Sequence, residues 1–253
     1  MMSDTGHKVV LITGGLSDIG RATAMAFAKD GYAVILNHRR SEEQAREFAN
    51  VLLRDGSAKQ VEIIRGDVRH RDEVRAMFAQ ACQIFGSVDV LINNAGINRD
   101  RSFVEMSDEE WEMVIDTILK GTFMCSQEYA RQYKGPAGNI VNIGAVTGIK
   151  GRINGANYCS ARAGILVLTK CMALELAPRI RVNTVTPGRI DTEEVRVRYK
   201  LDEPQNRSRF EQDVPLLRMG RPDEIAGMIT YLVSSGQYIT GQNFMVDGGL
   251  FMR

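Results

Sequence analysis

Tyr158 stands in the stretch 139–169, NIVNIGAVTGIKGRINGANYCSARAGILVLT, where an apolar strand pattern, a loop and a helical pattern follow one another. A phenol at the start of such a helix is a candidate proton donor, and a packing tyrosine is the plain alternative. A second candidate lies near the beginning of the chain, where Thr13-Gly14-Gly15-Leu16-Ser17-Asp18-Ile19-Gly20 follows a short apolar run. Glycines at a strand-to-helix turn let the backbone approach a pyrophosphate, and the helix start adds free N–H groups and a positive dipole end. Asp18 is the residue at odds with that use. Its carboxylate either caps its own helix or occupies the anion position and repels a pyrophosphate. Next, the turn Asn37-His38-Arg39-Arg40 places Arg39 where a 2′-phosphate would be read, which favours NADP over NAD; a solvated basic turn is the alternative. Asp67 and Val68 close the following strand, at the level where an adenine would lie.

The elements that must position these residues are legible as an alternation. Apolar runs at 8–13, 33–37, 61–64, 88–93, 140–143, 182–185 and 243–246 alternate with helical patterns at 19–29, 41–53, 72–85, 107–133, 158–176 and 223–234. Ser107 and Glu110 form a capping-box pair opening the longest of these helices. Strands without alternating polarity belong to sheets covered on both faces, and their alternation with helices predicts a doubly wound, parallel α/β sheet in three layers. A single Rossmann-like domain over 1–253 is expected, since no linker or repeat divides the chain. The segment 189–221 lacks periodicity and carries Pro204 and Pro215; it is expected to be a lid or binding loop, or else a surface excursion.

Composition narrows the function. With 32 basic and 31 acidic residues the net charge is +1, which gives no reason to expect a nucleic-acid or membrane-surface partner. No secretory signal pattern or membrane span is visible. The four cysteines lack CxxC spacing and the three histidines form no ligand-like cluster, so no metal is expected. Reduced thiols in the cytoplasm and surface roles for His7, His38 and His70 are the expectation, with Cys159 a packed side chain.

Several landmarks together resemble the short-chain dehydrogenase/reductase family. They are Thr13, Gly14 and Gly20, Asp67-Val68, Asn93-Asn94-Ala95-Gly96, Tyr158, Pro187-Gly188, Ile190 with Thr192, and Val246-Asp247-Gly248-Gly249. The segments 96–100, 156–158 and 221–224 are most similar to the branch that reduces 3-oxoacyl thioesters of acyl carrier protein or coenzyme A. The resemblance implies NAD(P)-dependent 3-oxoacyl/3-hydroxyacyl chemistry in tetramers or dimers packed through long helices. It also implies four catalytic positions: a tyrosine, a serine binding the substrate oxygen, a lysine holding ribose, and an asparagine positioning a relay water. Tyr158 matches, but the serine position falls on Ala145, the lysine position on Arg162 and the asparagine position on Ile118.

Ala145 has no donor for a developing oxyanion, Ile118 holds no water, and Arg162 keeps a cation but not a transferable proton. The leading expectation is therefore a catalytically inactive subunit that keeps the fold beside an intact paralogous subunit. The alternatives are an active NADPH-dependent 3-oxoacyl thioester reductase using Tyr158 and Arg162, and a nucleotide-binding regulatory module. A halohydrin-dehalogenase-like lyase is more remote, because that chemistry needs the serine missing at Ala145.

Overall fold

The computed structural model describes residues 7–54 and 58–252. Residues 1–6, part of the start on which the reading of a secretory signal rests, lie outside the described residues. Seven parallel strands form one sheet: β1 (Val9–Ile12), β2 (Ala33–His38), β3 (Val61–Arg65), β4 (Val90–Asn93), β5 (Gly138–Ile143), β6 (Ile180–Pro187) and β7 (Asn243–Val246). Their spatial order is β3-β2-β1-β4-β5-β6-β7, so the order reverses between β1 and β4. In an open parallel sheet that reversal leaves a crevice at the carboxyl ends of the strands. The register Ile12↔Ile92 brings the glycine turn after β1 beside the Asn94 turn after β4.

Helices α1 (Asp18–Lys29), α2 (Glu42–Arg54) and α3 (Arg71–Phe85) follow the first three strands. The five inner strands are buried because two apolar layers sandwich them, while the edge strands β3 and β7 are only partly buried. One gathers Phe27, Phe48, Leu52, Ile229 and Leu232; the other gathers Met77, Phe78, Met124 and Tyr129. Inside the sheet a polar ladder joins four elements. Asn93 Nδ2 donates to Asn142 Oδ1 at 2.9 Å, Asn142 Nδ2 to Thr169 Oγ1 at 2.8 Å, and the Thr169 and Thr184 hydroxyls lie 2.8 Å apart.

The helix expected over 107–133 is present but not uniform. The capping box of Ser107 and Glu110 opens α4 (Asp108–Ile115), a π-helical turn covers Asp116–Lys120, and α5 (Gly121–Gln132) continues from it. After β5 come a short α6 (Thr147–Lys150) and the long α7 (Ala156–Leu176). The segment 189–221 is not irregular: it holds α8 (Glu193–Tyr199) and α9 (Pro204–Gln212). Its two ends are tied together by a parallel bridge between Ile190 and Gly220, with Asp191 N–H donating to Gly220 O at 2.8 Å and Gly220 N–H to Arg189 O at 2.9 Å. Helix α10 (Pro222–Ser234) then packs against α1. Among the described residues no helix is long and apolar enough to cross a membrane.

Candidate active site at the carboxyl edge of the sheet

The glycine turn is fastened by its neighbour across the crevice. Thr13 is buried, and its hydroxyl accepts the N–H groups of Asn94 and Ala95 at 3.0 and 3.1 Å. The Asn94 amide nitrogen faces Thr13 O, Gly14 O and Ser17 Oγ at 3.0, 2.8 and 3.0 Å. Gly14 has φ +60°, and a Cβ there would stand 2.9 Å from Ala95 Cα, so the two turns meet backbone to backbone. Ser17 is the N-cap of α1 and accepts the N–H of Gly20 at 3.2 Å. Asn37, at the end of β2, completes the frame: its Oδ1 accepts Gly14 N–H at 3.3 Å while its Nδ2 donates to Ile64 O and Gly66 O at 3.3 and 3.0 Å.

Beyond this frame a cleft of about 1160 Å³ is lined by Gly14, Asp18, Arg39, Asn94, Ala95, Gly96, Ala145, Tyr158, Arg162, Pro187, Gly188 and Thr192. A side cavity of about 260 Å³ adjoins it and adds Asp67 and Val68. The cleft is large enough to enclose an extended ligand. Of the candidate catalytic and cofactor-binding residues, Thr13, Gly20 and Ile118 do not line it; they are buried and fix the turn and the core.

At the basic end, burial pushes the Asp67 carboxyl up, but hydrogen bonds from the Arg69 side chain and backbone outweigh it and hold the group below its usual range. Arg69 Nη2 lies 2.7 Å from Asp67 Oδ2, and Arg39 Nη1 lies 3.9 Å from the same oxygen. Arg39 remains partly exposed and lines both cavities. His38 is not a surface residue: as the last residue of β2 it is buried, its Nδ1 meets no partner among the described residues, and desolvation lowers its pKa.

At the reaction end, Asn157 ties the start of α7 in place, donating from Nδ2 to Arg99 O and Glu110 O at 2.8 and 3.1 Å and accepting Tyr158 N–H at 2.7 Å. The guanidinium of Arg162 lies 5.2 Å from the Tyr158 ring centroid, and that of Arg152 lies 5.3 Å from it. Both distances are within cation–π range. Arg162 is 6% exposed; its Nη1 donates to Ile143 O at 2.5 Å and its Nη2 rests against Gly96, where a Cβ would come within 2.6 Å. Ala145 presents a methyl group to the cleft. Ile118 is fully buried with Val114, Ala161 and Ile165, and Tyr158 packs on that cluster. It sits on the π-helical turn, a feature that often re-aims a side chain at a functional site. Here the turn aims an apolar side chain into apolar company.

Asp18 does not cap its own helix, because Ser17 does that. Its Oδ2 instead accepts the backbone N–H of Glu193, the first residue of α8, at 2.8 Å. This contact joins the glycine turn to the segment 189–221 across the cleft. Thr192 caps α8 by accepting Val195 N–H, and Gly188 N–H donates to Val246 O at 3.0 Å beside Pro187. Sequence reasoning missed Glu193, Glu194 and Arg198, which also line the cleft, and the Asp100 partnership with Arg152 and Arg198. Their only signal was membership of an irregular charged segment.

The stapled glycine turn, the exposed Ser17 at the start of α1 and the partly exposed Arg39 fit a dinucleotide, and the Asp18 carboxylate lines the same cleft. Gly14 and Ser17 would hold the pyrophosphate, Arg39 the ribose end, and Thr192 and Pro187 the far end. Among the described residues no cluster of His, Cys, Asp or Glu could hold a metal ion.

Comparison with known proteins agrees with this architecture. A family model described as enoyl-(acyl carrier protein) reductase matches residues 14–251. A 3-oxoacyl-(acyl-carrier-protein) reductase of Synechocystis sp. is 38% identical over 249 residues, 97% of each chain. The reductase of that name from Staphylococcus aureus is 39% identical over 250 residues, covering 97% of this chain and 98% of its own. A crystal structure of a short-chain dehydrogenase/reductase, glucose/ribitol dehydrogenase, from Brucella melitensis superposes with a TM-score of 0.89 at 30% identity, covering 97% of both chains. The chain thus belongs to the short-chain dehydrogenase/reductase family and stands close within it to the 3-oxoacyl-(acyl-carrier-protein) reductases.

Proposed function

We propose that this chain binds NADPH in the cleft and reduces a 3-oxoacyl thioester slowly, with Tyr158 as proton donor and Arg162 as the cation beside it. The observation that carries this reading is that both residues open onto the same cleft as the stapled glycine turn. When bound, the reduced nicotinamide supplies hydride to the carbonyl carbon. Tyr158 Oη makes no hydrogen bond to the described residues and is free to donate to the carbonyl oxygen. Arg162 places its guanidinium 5.2 Å from the Tyr158 ring centroid, on the same wall. The relatives named above are reductases of this substrate class, which supports the substrate assignment.

The rate is set by what Ala145 and Ile118 lack. With no donor at 145 the developing oxyanion loses a contribution of about 10²–10³ in rate. With Ile118 in an apolar cluster, the phenolate regains its proton from the cleft itself and not along the π-helical turn.

A second reading has its own observation. Asp18 spans the anion side of the cleft, and Ile118 seals the relay position, as in a catalytically silent subunit that serves an intact paralogue. Under either reading the chain is expected to assemble into dimers or tetramers and to work in the cytoplasm, where its free thiols stay reduced.

The deciding experiment is oxidation of NADPH, then NADH, by the purified chain with an acetoacetyl thioester. Turnover about 10²–10³ below that of an ordinary reductase, lost in Tyr158→Phe, supports the reductase. Absent turnover, together with activity appearing only in a co-purified complex, supports the silent subunit. NADPH binding with neither turnover nor partner points to a regulatory module.

A further inference from the structure

A guanidinium keeps its charge at every pH at which a protein is folded, so Arg162 is buried as a cation. A buried cation is costly unless opposite charge or a full set of acceptors surrounds it. Other arginines of this fold meet that condition. Arg69 is held by Asp67, Arg152 by Asp100 and Asn98, and Arg181 by the carbonyls of Leu232, Val233, Gly236 and Ile239. Arg162 has one carbonyl, that of Ile143, and the face of Tyr158. Its Nε meets no acceptor, and among the described residues no carboxylate lies within ion-pair distance of it.

The neighbouring charges do not make up the difference. Arg152 and Arg198 pair with Asp100 and Glu194, of which Arg198 and Glu194 line the cleft, and none of these carboxylates pairs with Arg162. Arg162 itself has no ion-pair partner among the described residues, and it lies in the wall shared with Tyr158 and Ala145. A single charge on a planar fork matches a carboxylate, a planar monoanion, better than a phosphate dianion. The Tyr158 hydroxyl, which donates to no described residue, supplies a second donor nearby, and the small Ala145 side chain leaves room for the carbon that bears the group.

We propose that Arg162 and Tyr158 form a receptor for one carboxylate, so that the ligand of this cleft is an acid. The carboxylate belongs either to a free 3-oxo or 3-hydroxy acid or to the distal end of a dicarboxylic acyl thioester. The inference goes beyond the proposed reductase reading and needs no turnover, and its test is a binding measurement without dinucleotide.

Calorimetric titration of the full chain with acetoacetate and with its neutral isostere acetoacetamide tests the charge. Succinyl-pantetheine against butyryl-pantetheine tests the distal carboxylate. The expected result is that at least one carboxylate binds more tightly than its neutral partner by about tenfold or more, the worth of a charged hydrogen-bonded contact. The preferred pair tells free acid from thioester. Arg162→Gln should abolish the preference and Arg162→Lys should retain part of it. A thermal shift of the unmodified protein by the carboxylate and not by the amide gives the same answer if Arg162→Gln fails to fold. Equal affinity for charged and neutral partners, or no binding of any of them, would overturn the proposal.

Discussion

A hydroxyl at position 145 would open onto the wall that Tyr158 and Arg162 share, and its absence separates binding from rate in this cleft. Ala145→Ser is expected to raise kcat for an acetoacetyl thioester by about 10²–10³ while KM changes little, because the added donor acts on charge present only in the transition state. Steady-state kinetics on the two proteins checks this. At the nucleotide end, Asp18→Asn keeps an oxygen for the Glu193 N–H but removes the charge facing the pyrophosphate. NADPH affinity is expected to rise about tenfold, read by nucleotide fluorescence titration. His38 carries a pH prediction. Burial lowers its folded pKa below the unfolded 6.5, so below that pH the unfolded chain takes up a proton that the folded chain does not. Stability should fall as pH drops from about 6.5 through the folded pKa, and His38→Gln should remove that component of a melting-temperature profile. Tyr158, Arg162, Ala145 and the glycine turn were all legible as residues. The partners of Asp18 and the burial of His38 were not, because a contact spanning 175 positions and a strand-end burial leave no local pattern.

Individual elements carry the strain of meeting at one edge. Gly14 lies at positive φ with its Cα against Ala95, so Gly14→Ala combines an unfavourable backbone with a clash between two fixed turns. A loss of about 1–3 kcal/mol is expected, seen as a shift of several degrees in a thermal melt. Most helices and strands announced themselves by spacing and by caps, as Ser107 with Glu110 did. The π-helical turn at Asp116–Lys120 did not, since inserting one residue into a helix leaves an apolar periodicity that still reads as helical on either side. Helices α8 and α9 were hidden for another reason. The first has seven residues, and the second reads PQNRSRFEQ with no apolar stripe, so its packing rests on contacts such as the Tyr199–Phe210 ring pair and the Arg189 guanidinium over Phe210.

At the scale of the whole molecule, α7 is apolar around much of its circumference while exposing Val167 and Leu174, at 61% and 84%. Exposed apolar side chains on an apolar helix are a candidate packing surface for a second copy of the chain. Native mass measurement is expected to give a dimer or tetramer, and Leu174→Glu is expected to shift it toward the monomer with an unchanged circular dichroism spectrum; a monomeric unmodified chain would refute this. The parallel, doubly wound class followed from the alternation of strand and helix patterns, whereas the strand order did not, because it depends on which distant strands pair. The bridge between Ile190 and Gly220 has a different consequence. Because the entry and exit of the segment 189–221 lie side by side, its interior is a detachable insert: residues within it can be lengthened, shortened or exchanged at the small entropic cost of closing a longer or shorter loop, leaving the seven-stranded sheet untouched. Ligand preference in this chain can therefore evolve, or be engineered, by grafting in that one insert.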